Sequence, residues 1–278
     1  MVKRPCTTNV LKDSKLTDLT LSIIDTHAHL DMKEFDADRE AVIARAIEAG
    51  VNTILTVGTD VKSSEKAIAL AEKHPQIYAA VGIHPHESTT VQKADIAQIT
   101  ELAKHPKVVA LGEMGLDFYR NYAPREQQFQ ALKWQLELAS ELYLPIIIHA
   151  RQAVKEIIEI LSDWVKKSHA EPPGVIHCFS ENAPTARKYL EMGFFLAFGG
   201  YVSYPNSRVP EVIKTVPQDR LLVETDCPYL PPQKYRGKRN EPFYIKLTVE
   251  TLSSILGMSA EAVARQTTEN AKRLFKFQ

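Results

Sequence analysis

Net charge is the first thing this chain lacks: Lys plus Arg and Asp plus Glu number 34 each among 278 residues. No global field draws the protein along a polyanion, so any phosphate or nucleic-acid site must be local. Cysteine is scarce and odd in number, with Cys6, Cys178 and Cys227 alone. Two of these directly follow residues of metal-ligand type, and alternation along a strand puts them on the opposite face, so both read as buried thiols and not as ligands. No apolar run approaches the length of a membrane span, and the segment from Met1 to Thr20 has no continuous apolar core of a signal peptide. The expected compartment is the reducing cytoplasm. Solenoid-type residue repeats and linker-like breaks are absent as well.

What is present is ordinary globular composition, 44% hydrophobic and 24% charged, with enough length for one large core or two smaller ones. Residues 1–20 are polar and without period, which predicts a loosely ordered extension ahead of one domain over 21–278. From there a rhythm begins. Short apolar runs recur at 21–25, 53–57, 78–83, 108–111, 145–148, 175–176, 194–198 and 221–223. Segments of helical spacing lie between them, such as Val42, Ile43, Ala46, Ile47 and Ala49, with Asp36, Asp60, Pro124 and Asn182 as expected helix starts. One or two further helices are expected over 247–275. Eight strand–helix alternations, with strands apolar on both faces, predict an α/β fold: a single-domain (β/α)8 TIM barrel. A doubly wound open sheet is the competing architecture, but it gathers a ligand at one switch point, not at many strands.

The run from Ile23 to Asp25 leads into Thr26-His27-Ala28-His29, whose histidines share one strand face and can grip a single cation. Four more residues of ligand type end other runs: Glu113 after Gly112, His149 after Ile148, His177 after Ile176 and Asp226 after Thr225. Singly, each has a bland reading, as a core histidine or, for Asp226, a helix cap. Together the six converge on the carboxyl ends of strands 1, 4, 5, 6 and 8, the face where barrel active sites lie. Four histidines and two carboxylates exceed one zinc site, so two divalent ions, with one carboxylate bridging, are the economical expectation. Such a centre activates water at neutral pH and polarises a phosphoryl or carbonyl oxygen, which predicts hydrolysis. The loop from Lys234 to Arg239 adds Lys234, Arg236, Lys238 and Arg239 as phosphate contacts, where the bland reading is a solvated basic loop. Arg151 and His84 are further substrate-side candidates, His84 as a phosphate contact or proton donor. Tyr119 and Tyr229 are candidates for stacking a base.

Asp25-Thr26-His27-Ala28-His29, Val81-Gly82-Ile83-His84-Pro85-His86, Gly112-Glu113-Met114-Gly115-Leu116-Asp117-Phe118-Tyr119, Ile176-His177-Cys178-Phe179-Ser180, Glu224-Thr225-Asp226-Cys227-Pro228-Tyr229-Leu230 and Arg236-Gly237-Lys238-Arg239-Asn240-Glu241-Pro242 closely resemble, in order, the motifs of the TatD family of metal-dependent deoxyribonucleases. The resemblance spans 23–275. It implies a (β/α)8 hydrolase with a divalent metal centre, several members acting as exonucleases from a 3′ end. On that resemblance His27, His29, Glu113 and Asp226 hold one metal and Glu113, His149 and His177 the second, with Glu113 and Asp226 as catalytic carboxylates and Asp226 assisting deprotonation of the attacking water. DNA strand ends are the implied partner and a monomer the implied state. Gln152 stands where the family often carries an acidic residue, and Glu181 follows Ser180 where glycine is usual. Mixed nitrogen and oxygen donors accept zinc, manganese, magnesium or nickel, so the metal stays open. Two rival readings are a metal-dependent amidase or deacylase and a non-catalytic metal protein acting as a scaffold. The basic loop argues against the first and the full donor set against the second.

Overall fold

The computed structural model describes residues 22–168 and 170–277; the expected extension 1–20 and Cys6 lie outside the described residues. Eight strands form one parallel sheet in sequence order: β1 (Ile23–Ala28), β2 (Val51–Val57), β3 (Ile77–Val81), β4 (Val108–Asp117), β5 (Ile146–Arg151), β6 (Gly174–Ile176), β7 (Phe195–Phe198) and β8 (Leu221–Val223). The sheet closes where Ala28 bridges Cys227, the His29 N–H donates to the Cys227 carbonyl at 2.8 Å and the Asp226 N–H donates to the His27 carbonyl at 2.8 Å. This is the (β/α)8 barrel expected from the alternation.

Among the described residues nine α-helices cover it: α1 (Arg39–Glu48), α2 (Val61–Lys73), α3 (Lys93–Leu102), α4 (Arg125–Leu142), α5 (Val154–Val165), α6 (Ala183–Glu191), α7 (Val209–Ile213), α8 (Ile245–Leu256) and α9 (Ala260–Phe275). Asp60 and Asn182 cap α2 and α6, accepting from the Ser63 and Thr185 N–H groups. Pro124 precedes α4 as expected. Asp36 does not start α1. It closes a short 3-10 turn and pairs with Arg39 at 2.5 Å, and the helix begins only after Asp38. Helix α5 buries Ile157, Leu161 and Trp164, spaced to share one face. The described residues contain no helix long and apolar enough to cross a membrane.

Two irregularities in register position the site. Asp25 pairs with Ile54 and Ala28 with Thr56, so β1 advances three residues where β2 advances two. Leu111 pairs with Ile146 and Met114 with Ile148, the same excess in β4 against β5. Each is a β-bulge, which re-aims the side chains it contains. The bulged residues include His27 and Glu113. Strand β4 also runs on to Asp117, well past the apolar run 108–111, because Gly112 and Gly115 permit what no other residue would: a Cβ on Gly115, at φ +151°, would collide with the His149 carbonyl of β5.

On the buried face of α4, Gln128 and Gln135 use their amides to hold loop backbone. Gln135 accepts from the Ile83 N–H at 2.7 Å and donates to the Ile83 carbonyl at 3.0 Å. Gln128 accepts from the Asp117 N–H at 2.8 Å and donates to the Ala123 carbonyl at 2.8 Å. The loops after β3 and β4 are thereby fixed from below.

Candidate metal centre

At the carboxyl end of the barrel the six expected donors come together. His27 and His29 direct their Nε2 atoms at each other, 3.2 Å apart. The Glu113 carboxylate stands between two histidine pairs. Its Oε2 lies 3.3 Å from His27 Nε2 and 3.6 Å from His29 Nε2, and its Oε1 lies 2.7 Å from both His149 Nδ1 and His177 Nε2. Asp226, in the left-handed region at φ +55°, brings Oδ1 to 3.5 Å from His29 Nε2 and 3.8 Å from His27 Nε2. A non-glycine residue in that conformation is held there by its surroundings, here the backbone bond to His27 that closes the barrel.

Two of the four rings have the second nitrogen tied outward, whereas His27 Nδ1 and His177 Nδ1 are buried without a hydrogen-bond partner. His29 Nδ1 donates to the Val57 carbonyl at 2.8 Å, which leaves Nε2 for the centre. His149 Nε2 donates to Asp117 Oδ2 at 3.1 Å, which leaves Nδ1. His27 stacks on His177 with centroids 4.2 Å apart. Behind them Asp25 accepts from the Thr225 N–H at 2.9 Å and the Thr225 hydroxyl at 2.6 Å, joining β1 to the strand-8 loop, and burial pushes its carboxyl up to about 7.

Burial works against charge throughout the cluster; at Glu113, Asp226, His29 and His177 the mutual attraction of carboxylates and imidazoles overrides it, whereas at His27 burial, helped by the neighbouring His177, prevails and lowers the imidazole below its usual value. Glu113 is held well below the ordinary carboxylate range by His177, His84 and His149 despite complete burial. Asp226, which burial alone would raise, is lowered by the His29 hydrogen bond and by His177 and His27. Burial disfavours charge on His29 too, but Asp226 and Glu113 bring it up to about 9, and Glu113 raises His177 well above its usual value. Two carboxylates thus draw positive charge onto the facing nitrogens. Lone-pair atoms 2.7 Å apart require a proton or a cation between them, and the mixed imidazole and carboxylate set fits divalent cations of the zinc, manganese or magnesium kind. Among the described residues three donor groups, two of them sharing His27, have ligand atoms within 4.8 Å of one another: His27, His29 and Asp226; His27, His177 and Glu224; and His84, Glu113 and His149.

Asp117 and Glu224 were not among the residues singled out from sequence. Asp117 is fully buried and shares Oδ2 between His149 and His86, the latter at 2.9 Å. Burial would raise it, but hydrogen bonds from His149, His86 and the Arg120 N–H hold it far below the usual range. The available signal was a carboxylate four positions after Glu113, masked because the glycines make 112–117 resemble a loop. Glu224 accepts the Cys178 N–H at 2.6 Å, and its other oxygen is buried without a partner, as is His177 Nδ1, 3.7 Å from Oε1.

Around the rim the candidates separate. His84 Nδ1 accepts the His86 N–H, so its Nε2 carries the proton and lies 3.4 Å from Glu113 Oε1. Burial brings His84 down to about 4, so at neutral pH it offers a neutral N–H donor and not a cationic acid. Arg151 is exposed over the Tyr119 ring at 4.1 Å. Lys234 and Lys238 lie over Tyr235, and Arg236 over Tyr204 at 5.1 Å. Arg239 departs from the phosphate role expected for it: its guanidinium is engaged by both Asp38 oxygens at 2.8 and 2.7 Å and by Glu241 at 2.9 Å, fastening the strand-8 loop to α1. Tyr229 meets His29 edge-on at 6.1 Å. Cys227 is buried as expected. Cys178 is partly exposed, because β6 ends at Ile176 and the residue turns away at φ +47°. Gln152 and Ser180 are both exposed.

A parallel barrel with this donor cluster at its carboxyl mouth defines a metal-dependent hydrolase. The family model for TatD related DNase matches residues 24–276. YabD of Bacillus subtilis, named an uncharacterized metal-dependent hydrolase, is 45% identical over 256 residues, 91% of this chain and 99% of that protein. A 3′-5′ ssDNA/RNA exonuclease, TatD of Erwinia tasmaniensis, is 38% identical over 260 residues, 91% of this chain and 99% of its own length. Among solved structures, the TatD homologue YjjV of Escherichia coli K12 superposes with a TM-score of 0.88 at 31% identity, covering 94% of this chain and 100% of its own. The chain belongs to the TatD related DNase family, and this favours phosphodiester hydrolysis over the amidase and scaffold readings.

Proposed function

We propose that the protein is a two-metal 3′-5′ exonuclease that removes nucleotides from DNA strand ends, with residues 21–278 as its catalytic domain. The observation that carries this reading is the Glu113 carboxylate, which offers Oε2 to His27 and His29 and Oε1 to His149 and His177. His27, His29, Asp226 and Glu113 would hold one divalent ion, and Glu113, His149 and His177 the other. Bound there, the ions would supply an activated water and charge neutralisation at the phosphoryl oxygens. Asp226 would accept the proton of the attacking water, its carboxylate being kept ionised by the facing histidines. The His84 Nε2–H would donate to a phosphate oxygen, and Arg151, Lys234, Arg236 and Lys238 would line the approach with positive charge. The polarity of cleavage follows the Erwinia relative, whose name specifies it. A cytoplasmic monomer is the state we assign.

The test is stepwise shortening of a single-stranded oligonucleotide by chelated protein, then after magnesium, manganese or zinc is restored in turn. Metal-dependent loss of nucleotides from the 3′ end, abolished by His149→Ala, is expected. No shortening with any of the metals overturns the reading.

A further inference from the structure

Large apolar side chains on a soluble surface are ordinarily scattered singly. Here, among the described residues, the exposed ones are Tyr119, Tyr122, Tyr143, Tyr229 and Leu230, and all but Tyr143 stand on the loops that follow β4 and β8 at the mouth of the metal centre. Tyr143 ends α4 just before β5, at the opposite end of the barrel. The concentration is sharpest after β4, where Tyr119 and Tyr122 are 53% and 63% exposed.

This loop is built to hold its rings still. Asp117 Oδ1 accepts the N–H groups of Tyr119 and Arg120 at 2.9 and 2.8 Å, while Oδ2 holds the donor His149. Gln128 binds the loop at Asp117 and Ala123. One carboxylate therefore registers the tyrosine loop against the metal centre. From His149 a series of edge-to-face rings leads outward: His84 at 4.7 Å, His86 a further 4.3 Å and Tyr122 a further 4.8 Å. The guanidinium of Arg151, two residues past His149, lies over Tyr119 at 4.1 Å, with that of Arg120 at 5.7 Å.

We propose that Tyr119 and Tyr122 form a base-stacking platform for a single-stranded nucleic acid whose end lies in the metal centre, with Arg151 and Arg120 beside its phosphates. This rests on the exonuclease reading and adds to it the residues that hold an unpaired strand, the Tyr119 and Tyr122 rings, which no relative's name assigns. Exposed rings interleaved with cations suit alternating bases and phosphates. In a duplex every base except those of the terminal pair is covered on both faces and all are paired at their edges, so a strand that lays successive bases on two protein rings must be unpaired. A platform beside the mouth thus selects single strands without reading sequence.

The experiment titrates metal-loaded protein into a short phosphorothioate oligonucleotide carrying 2-aminopurine near its 3′ end, whose fluorescence is quenched on stacking. The single strand is expected to bind and be quenched, and a blunt duplex of the same sequence to bind more weakly. Tyr119→Leu and Tyr122→Leu should each raise Kd about tenfold and relieve quenching. Tyr119→Phe and Tyr122→Phe should restore both, because the ring face and not the hydroxyl is used, and Tyr143→Leu should change neither. On an unmodified strand the penalty should fall on KM and not on kcat. Unchanged Kd and quenching in the double leucine variant, or equal affinity for the duplex, overturns the proposal. Quenching that depends on the tyrosines without shortening under any metal would leave the platform standing and remove the exonuclease reading.

Discussion

Glu113 and Asp117 sit four residues apart on one strand and do different work. Glu113 spans the two histidine pairs, so Glu113→Gln removes charge from both sides at once. We expect turnover to fall at least about a hundredfold and bound metal to drop, read by elemental analysis of dialysed protein. Asp117 touches no bridging atom; it orients His149. Asp117→Asn should weaken metal binding by about 10- to 100-fold, measured by competition with a chromogenic chelator, while the fold is retained. The six donors were legible in sequence because each ends an apolar run. Asp117 was not, since its value lies in which two imidazoles it faces, and that is a property of strand pairing. Arg239 shows the converse: charge put it among phosphate contacts, and Asp38 and Glu241 claim it.

At the scale of elements, the bulges in β1 and β4 and the two glutamines of α4 decide where donors and loops stand. Gln128→Leu deprives the Asp117 N–H and the Ala123 carbonyl of buried partners. It should cost about 1–3 kcal/mol in urea unfolding and loosen the loop that carries Tyr119. Gly115→Ala sets a methyl group against the His149 carbonyl and should lower both stability and metal occupancy, the second measured by the same elemental analysis. Helix identity and order followed from periodicity, and Asp60 and Asn182 cap where their side chains suggested. The length of β4 did not follow, because glycine reads as a break until a neighbouring backbone passes close enough to require it.

For the whole molecule, the barrel holds buried carboxylates whose negative charge a cation would balance, displacing protons from the facing imidazoles. Saturating magnesium, manganese or zinc should therefore raise Tm, and chelation lower it, by an amount that grows with the logarithm of free metal; calorimetry across a metal series checks this. Acid acts elsewhere, at the fastening between the strand-8 loop and α1. Hydrogen bonds from Arg239 and then Arg45 bring Asp38 down to about 2, against a slight opposing effect of burial, and Glu241 is lowered by the same arginines although burial would raise it. Depressed carboxylates add stability that is present above their unfolded values, about 4, and is lost as pH falls through the folded ones. Arg239→Ala should flatten the stability–pH curve between about pH 4 and pH 2, modestly because the pair is partly solvated. The sequence by itself determined the barrel, its strand order and the six candidate donors, since alternating apolar runs and ligand-type residues at their ends are local patterns. Only the tertiary structure decided how those donors face one another, which carboxylate orients them and which loop residues remain exposed at the mouth. Those follow from bulges, close glycine contacts and pairings between residues far apart in sequence, such as Asp38 and Arg239 across 201 positions, and no local pattern encodes them.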